Sequence, residues 1–238
     1  MFNITIKKGS TMKKLKTMLF VLLASMATTP ILAGSADFAG PYIAVTGAIN
    51  GIIADGNAQN SNNEVTEGTL GKILPSVGGE AGYGIPIGDN FVLGIGAGYL
   101  PGDARIFGDA GGSSGVVLTS GSLTEDGSTD VNVKFDEYMI GYIQPTISVS
   151  DNSAFYAKVG VAHVGLALSG DVKDGKGGLQ GDLYGLGTKT MFGSGLYLQT
   201  EAGVVAFDEI QFERLSATGS AVADIDMAYG SMSIGYKF

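Results

Sequence analysis

From Pro41 to Phe238 the chain alternates apolar residues with small or polar ones, in runs punctuated by Gly, Ser, Asn and Asp. A period of two places alternate side chains on opposite faces of a strand. Phe91–Leu100 shows it plainly: Phe91, Leu93, Ile95, Ala97 and Tyr99 share one face, and Val92, Gly94, Gly96 and Gly98 the other. The same reading predicts strands over 41–51, 72–87, 91–100, 131–149, 154–168, 182–192, 196–212 and 224–238. Turn chemistry separates them. Gly88-Asp89-Asn90, Asp151-Asn152-Ser153 and Gly193-Ser194-Gly195 are tight turns. The other four connections, about 52–71, 101–130, 169–181 and 213–223, are longer and rich in Gly, Ser, Asn and Asp.

Short turns on one side and long loops on the other are the pattern of a membrane barrel, whose strands need only about 9–11 residues to cross. The expected fold is all-β: an eight-stranded antiparallel up-and-down transmembrane β-barrel, preceded by a signal peptide. Both ends then lie on the short-turn side.

The N-terminus reads as an address. Lys13, Lys14 and Lys16 precede the apolar run Met18–Ala27; Pro30 breaks the run, and the small residues Ala33-Gly34-Ser35-Ala36 follow. Charge, length and small residues fit a secretory signal peptide. The run falls short of the roughly 20 residues of a membrane-spanning helix. The expected start is Met12, with residues 1–35 as the signal, cleavage between 33 and 36, and 36–238 as the barrel.

The last strand is the sharpest. Ala228, Gly230, Met232, Ile234, Tyr236 and Phe238 lie on one face, Tyr229, Ser231, Ser233, Gly235 and Lys237 on the other, and the sequence closes on an aromatic residue. Tyr236-Lys237-Phe238 resembles the C-terminal signal by which outer-membrane proteins are handed to the barrel-assembly machinery. Ser233 departs from the pattern, which prefers Gly there. From Asp37 to Phe238 the chain resembles the small outer-membrane β-barrel superfamily, which includes the outer-membrane protein A transmembrane domain and the opacity proteins. The resemblance implies Tyr236 and Phe238 as assembly signal and an interrupted lumen; because the sequence closes with strand eight, no periplasmic peptidoglycan-binding domain is expected after it.

With the apolar faces toward lipid, the opposite faces line the lumen. They carry Glu80, Lys158, Lys189, Glu201 and Lys237, with Gln199 and Ser233. Lys134 and Asp136 join them if the fourth predicted strand keeps one phase. An eight-stranded barrel is filled by side chains or one small ligand, and unpaired buried charges are costly. The expectation is a salt-bridge network that plugs the interior; the alternative is a gated pore lined by Glu80, Lys158 and Glu201.

Composition narrows the chemistry. With no Cys, there is no disulfide framework and no thiolate nucleophile or metal site. Beyond residue 35, nine basic residues face 23 acids, a balance that argues against nucleic acid. His163 is the lone histidine. A barrel lipid hydrolase needs a His–Ser pair, and Ala162-His163-Val164-Gly165-Leu166 supplies no following Ser. Its phase points His163 toward lipid near the interface.

Acids gather in the predicted loops at Asp103, Asp109, Glu125, Asp126, Asp130 and Glu213, without the spacing of a calcium loop. Tyr42, Tyr83, Phe91, Tyr99, Phe155, Phe192, Tyr236 and Phe238 are candidates for aromatic girdles. The expected protein is a non-enzymatic, monomeric outer-membrane barrel without metal or cofactor. Its partners are lipopolysaccharide and, during biogenesis, the assembly machinery; its role is structural or surface-interacting, with a narrow porin-like channel as alternative.

Overall fold

A computed structural model describes residues 35–59, 65–107, 116–121, 131–170, 175–213 and 220–238. After a short 3-10 helix, Ser35–Phe38, the strands are β1 (Gly40–Gln59), β2 (Val65–Ile87), β3 (Phe91–Phe107), β4 (Val116–Gly121), β5 (Val131–Ser150), β6 (Ser153–Gly170), β7 (Gly175–Met191), β8 (Leu196–Phe207), β9 (Ile210–Glu213) and β10 (Ser220–Lys237). All pairings are antiparallel. β1 pairs with both β2 and β10, which closes the sheet. β4 extends the wall beside the upper part of β2, and β9 does so beside β10. The remaining eight strands form the barrel. Closure leaves no open sheet edge in the bilayer, where an unpaired backbone group is costly.

The three tight turns lie where the sequence puts them. Gly88 takes φ +74°, a left-handed conformation that favours glycine. Asn152 Oδ1 accepts hydrogen bonds from Ser150 Oγ at 2.9 Å and Ser153 Oγ at 3.4 Å. The backbone N–H of Phe238 donates to Pro41 O at 3.0 Å, so the two ends meet on the turn side.

On the other side the strands run on. β1 reaches Gln59, β2 starts at Val65, β3 extends to Phe107 and β7 begins at Gly175. These stretches were expected as loop. Beyond the bilayer a hairpin needs no apolar outer face, so strand pairing continues without alternation. The acids Asp109, Glu125, Asp126 and Asp130 lie outside the described residues, as do the side chains of Asp103 and Glu213.

The outer surface is apolar. Ile43, Val45, Ile49 and Ile53 on β1 are 51, 65, 62 and 48 % exposed. Val77, Ile95, Ile143, Val161, Met232 and Ile234 continue the belt around the barrel. From Ile43 to Ile53, at roughly 2.5 Å of vertical rise per residue in a tilted strand, the belt is about 25 Å tall, the apolar thickness of membrane barrels. A soluble protein rarely shows a continuous apolar patch beyond a few hundred Å². This surface faces lipid.

β5 carries an irregularity. The register shifts between Asp136 and Tyr138, and Glu137 takes φ +47°. The extra residue reverses the phase of the strand. Lys134 and Asp136 stand opposite Ala167 and Gly165, out of step with the inward Val164 and Leu166. Their side chains lie outside the described residues.

A charge network across the lumen

Inward positions form three levels. The middle level is ionic. β2 supplies Glu80, β6 Lys158 and β8 Glu201, and all three are buried. Lys158 Nζ lies 3.1 Å from Glu80 Oε2 and 2.8 Å from Glu201 Oε2. It also sits 4.4 Å from the centroid of the Tyr142 ring, a cation–π contact.

Hydroxyls complete both carboxylates. Glu80 accepts from Tyr142 at 2.8 Å and Thr46 at 3.3 Å. Glu201 accepts from Tyr156 at 2.8 Å and Tyr229 at 2.6 Å. Since the Tyr142 and Thr46 protons are committed to Glu80, Tyr42 donates to Tyr142 at 3.2 Å and Ser233 to Thr46 at 2.8 Å. Every oxygen of the two carboxylates therefore has a donor. That satisfies the condition under which buried charge is tolerated.

Glycine makes room for these rings. Tyr42 faces Gly82 across the ladder, Tyr142 faces Gly96, Tyr156 faces Gly187, Tyr197 faces Gly235 and Tyr229 faces Gly203. In each pair a Cβ on the glycine would collide with the tyrosine ring or hydroxyl. The high glycine content of the inward faces is thus a set of seats for tyrosine.

Ser233, also expected in the lumen, thus joins the network and Gln199 is buried, whereas the two other lysines stand apart. Lys189 is buried between Tyr42 and Tyr197, with Nζ 4.7 Å from each ring centroid. Lys237 is at the turn-side mouth, half-exposed, and donates to Ala36 O at 2.9 Å. It does not join the network, because its strand ends there and the nearest acceptor is a backbone carbonyl. In the lower half of the lumen two buried lysines (Lys158, Lys189) then balance two buried glutamates (Glu80, Glu201).

Sequence reasoning missed three features. Tyr42 is inward and 6 % exposed, so it is no girdle residue; Tyr83, Tyr99, Phe155, Phe192, Tyr236 and Phe238 are outward and exposed. The upper level of the lumen is mainly apolar: Ile52, Leu74, Val164, Leu179, Val205, Phe207 and Ile225 pack there as one cluster, with the buried Lys72 opposite Ile52. Double apolar positions such as Ile52-Ile53 were the available sign. At the lower level Phe38, 5 % exposed, packs on the inward Val92, Ala154 and Met191 and stops the turn-side mouth. His163 faces outward and is exposed, as its phase predicts.

No family model and no curated protein sequence matches the chain. Solved structures do. OprG from Pseudomonas aeruginosa superposes with a TM-score of 0.58 at 15 % identity, over 88 % of this chain and 99 % of that one. The chain has the fold of the small outer-membrane β-barrels. Ail of Yersinia pestis also matches, with a TM-score of 0.44 at 10 % identity, over 84 % of this chain and 99 % of Ail. The assignment of fold rests on OprG, and the apolar outer belt around a charged middle level agrees with it independently.

Proposed function

We propose that the chain is an exported, non-enzymatic, monomeric outer-membrane barrel with a structural or surface-interaction role. Its signal peptide starts at Met12, within residues 1–35, and is cleaved between 33 and 36. Tyr236 and Phe238 address it to the barrel-assembly machinery. Its four long acidic connections meet lipopolysaccharide or external partners. The observation that carries the closed-lumen part is the position of Lys158, ion-paired to Glu80 on one side and Glu201 on the other. With tyrosines on both carboxylates, the network crosses the lumen at mid-height. The outward, exposed His163 favours the reading without catalysis.

A narrow gated channel is the second reading. A cavity of about 30 Å³, lined by Asn50, Leu100, Tyr138, Met227 and Ser231 among others, lies directly against Glu80 and Glu201. It gives the network side chains somewhere to move. Planar-bilayer recording separates the two. The closed reading expects rare, small openings. Steady large conductance, abolished by Glu80→Gln or Lys158→Met, would establish the channel instead.

A further inference from the structure

The network is one closure; the lower mouth holds another. The ladder of β1 begins at Gly40, so Ser35–Phe38 lies outside the barrel wall. Gly40 has φ +105°, a left-handed conformation that swings the preceding residues inward over the mouth. Phe38 enters the lumen and covers Val92, Ala154 and Met191. Its carbonyl lies over the inward Gly84, where a Cβ would come within 2.7 Å of it.

The polar ties of this segment are few. Lys237 Nζ holds Ala36 O at 2.9 Å, and the internal bond from Ala39 N to Ala36 O is long at 3.4 Å. Two buried polar atoms in the lower lumen, Gln144 Oε1 and Ser148 Oγ, have no hydrogen-bond partner among the described residues. Ser148 stands directly across the ladder from Ala154, in the layer that Phe38 covers. Seating Phe38 therefore gains apolar burial and at the same time keeps Ser148 Oγ, a buried hydroxyl in its layer, from solvent. Withdrawal reverses both terms. Opposed terms of similar size leave the seated and withdrawn positions close in free energy.

We propose that Ala36–Phe38, which opens the mature chain once residues 1–35 are removed, is a movable stopper, which on withdrawal admits water to the lower lumen as far as the Glu80–Lys158–Glu201 network. The proposal rests on the closed-lumen reading and adds a second closure in series with it.

The absence of native cysteine gives a direct test. Ser148→Cys is introduced into the full chain, the protein is purified from outer membranes, and folding is verified by heat-modifiable gel mobility. A charged, membrane-impermeant thiol reagent is then applied. The expected result is slow but complete labelling, faster by about tenfold or more when Phe38→Ala or Gly84→Ala unseats the stopper, since labelling follows the population of the open state. Glu201→Gln should leave the rate unchanged. Equal rates with and without Phe38→Ala would overturn the stopper. Labelling of the Phe38→Ala protein, with none over hours in its Phe38 counterpart, would overturn its movement. Acceleration by Glu201→Gln alone would overturn the stopper and show that the reagent enters through the network, which is failure of the closed-lumen reading itself.

Discussion

Lys158 Nζ and Glu201 Oε2 lie 2.8 Å apart although their strands, β6 and β8, are not neighbours. β7 runs between them and contributes Gly185 opposite Lys158 and Gly187 opposite Glu201. The ion pair crosses the lumen over a strip of wall that has no side chains. Lys158 is the shared cation, so removing it takes the ion-pair partner from two buried carboxylates, Glu80 and Glu201. Lys158→Met should cost about 3–5 kcal/mol, the scale for breaking a buried pair. The check is the unfolding midpoint in detergent micelles. Loss of less than about 1 kcal/mol would mean that water reaches the network, because exposed pairs are worth that little.

The glycine seats make a separate prediction. A Cβ on Gly187 would run into the Tyr156 ring and Thr200 O. Gly187→Ala should destabilise by about 1–3 kcal/mol, as overpacking does in a filled interior. The share due to the ring should vanish in the background of Tyr156→Ala, since contacting residues are not additive, while the clash with the Thr200 carbonyl remains. A double-mutant cycle on thermal unfolding measures the coupling. Additive losses would mean that the ring and the glycine do not share space.

These particulars show what the sequence could and could not reveal. Alternation is imposed wherever one face meets lipid and the other meets packed side chains, so the eight crossings were legible. The long strand ends were not, because outside the bilayer pairing no longer depends on which residues face out. Glu80, Lys158 and Glu201 were legible as inward by phase alone, but phase says nothing of height. Lys237 shares the phase, yet it sits at the mouth. Phe38 belongs to no periodic run, and Ala36-Asp37-Phe38-Ala39 reads as linker; only the closed barrel shows the hole it fills. The phase of β5 was lost at Glu137, since a bulge leaves no compositional mark.

That bulge is testable by itself. Glu137 is an exposed residue at φ +47°, a conformation that favours glycine. Glu137→Gly should stabilise the folded barrel by about 0.5–1 kcal/mol, and Glu137→Val should destabilise it by at least as much. Opposite signs for the two variants in thermal unfolding are the expected signature. A loss on Glu137→Gly would indicate that the Glu137 side chain, and not its backbone, matters there.

The lipid belt predicts a gradient. Ile49 is 62 % exposed near the middle of the belt, and Ile87 is 51 % exposed beside the turn at Gly88. A lysine on the lipid face costs about 2–4 kcal/mol at the midplane and about 0–1 near the interface. Ile49→Lys should therefore be costly and Ile87→Lys nearly silent in vesicle-embedded protein. Equal small effects at both positions would place this surface in water, and the barrel outside the membrane.

The terminal residue separates assembly from stability. Phe238 is 67 % exposed on the lipid face, and its ring meets Tyr236 edge-on with centroids 5.1 Å apart. Such a pair is worth about 0.5–1.5 kcal/mol beyond its buried area. If Phe238 served only the folded barrel, Phe238→Ala would lower stability by that amount and leave delivery intact. As an assembly signal it has a larger effect earlier, on the unfolded chain. The expected outcome is an unfolding midpoint shifted by no more than the ring pair is worth, together with a several-fold fall in folded protein recovered from outer membranes. Stability is read on protein refolded in detergent, and delivery on the heat-modifiable fraction in cells. Matching losses in both measurements would make Phe238 a structural residue and remove its role as an address.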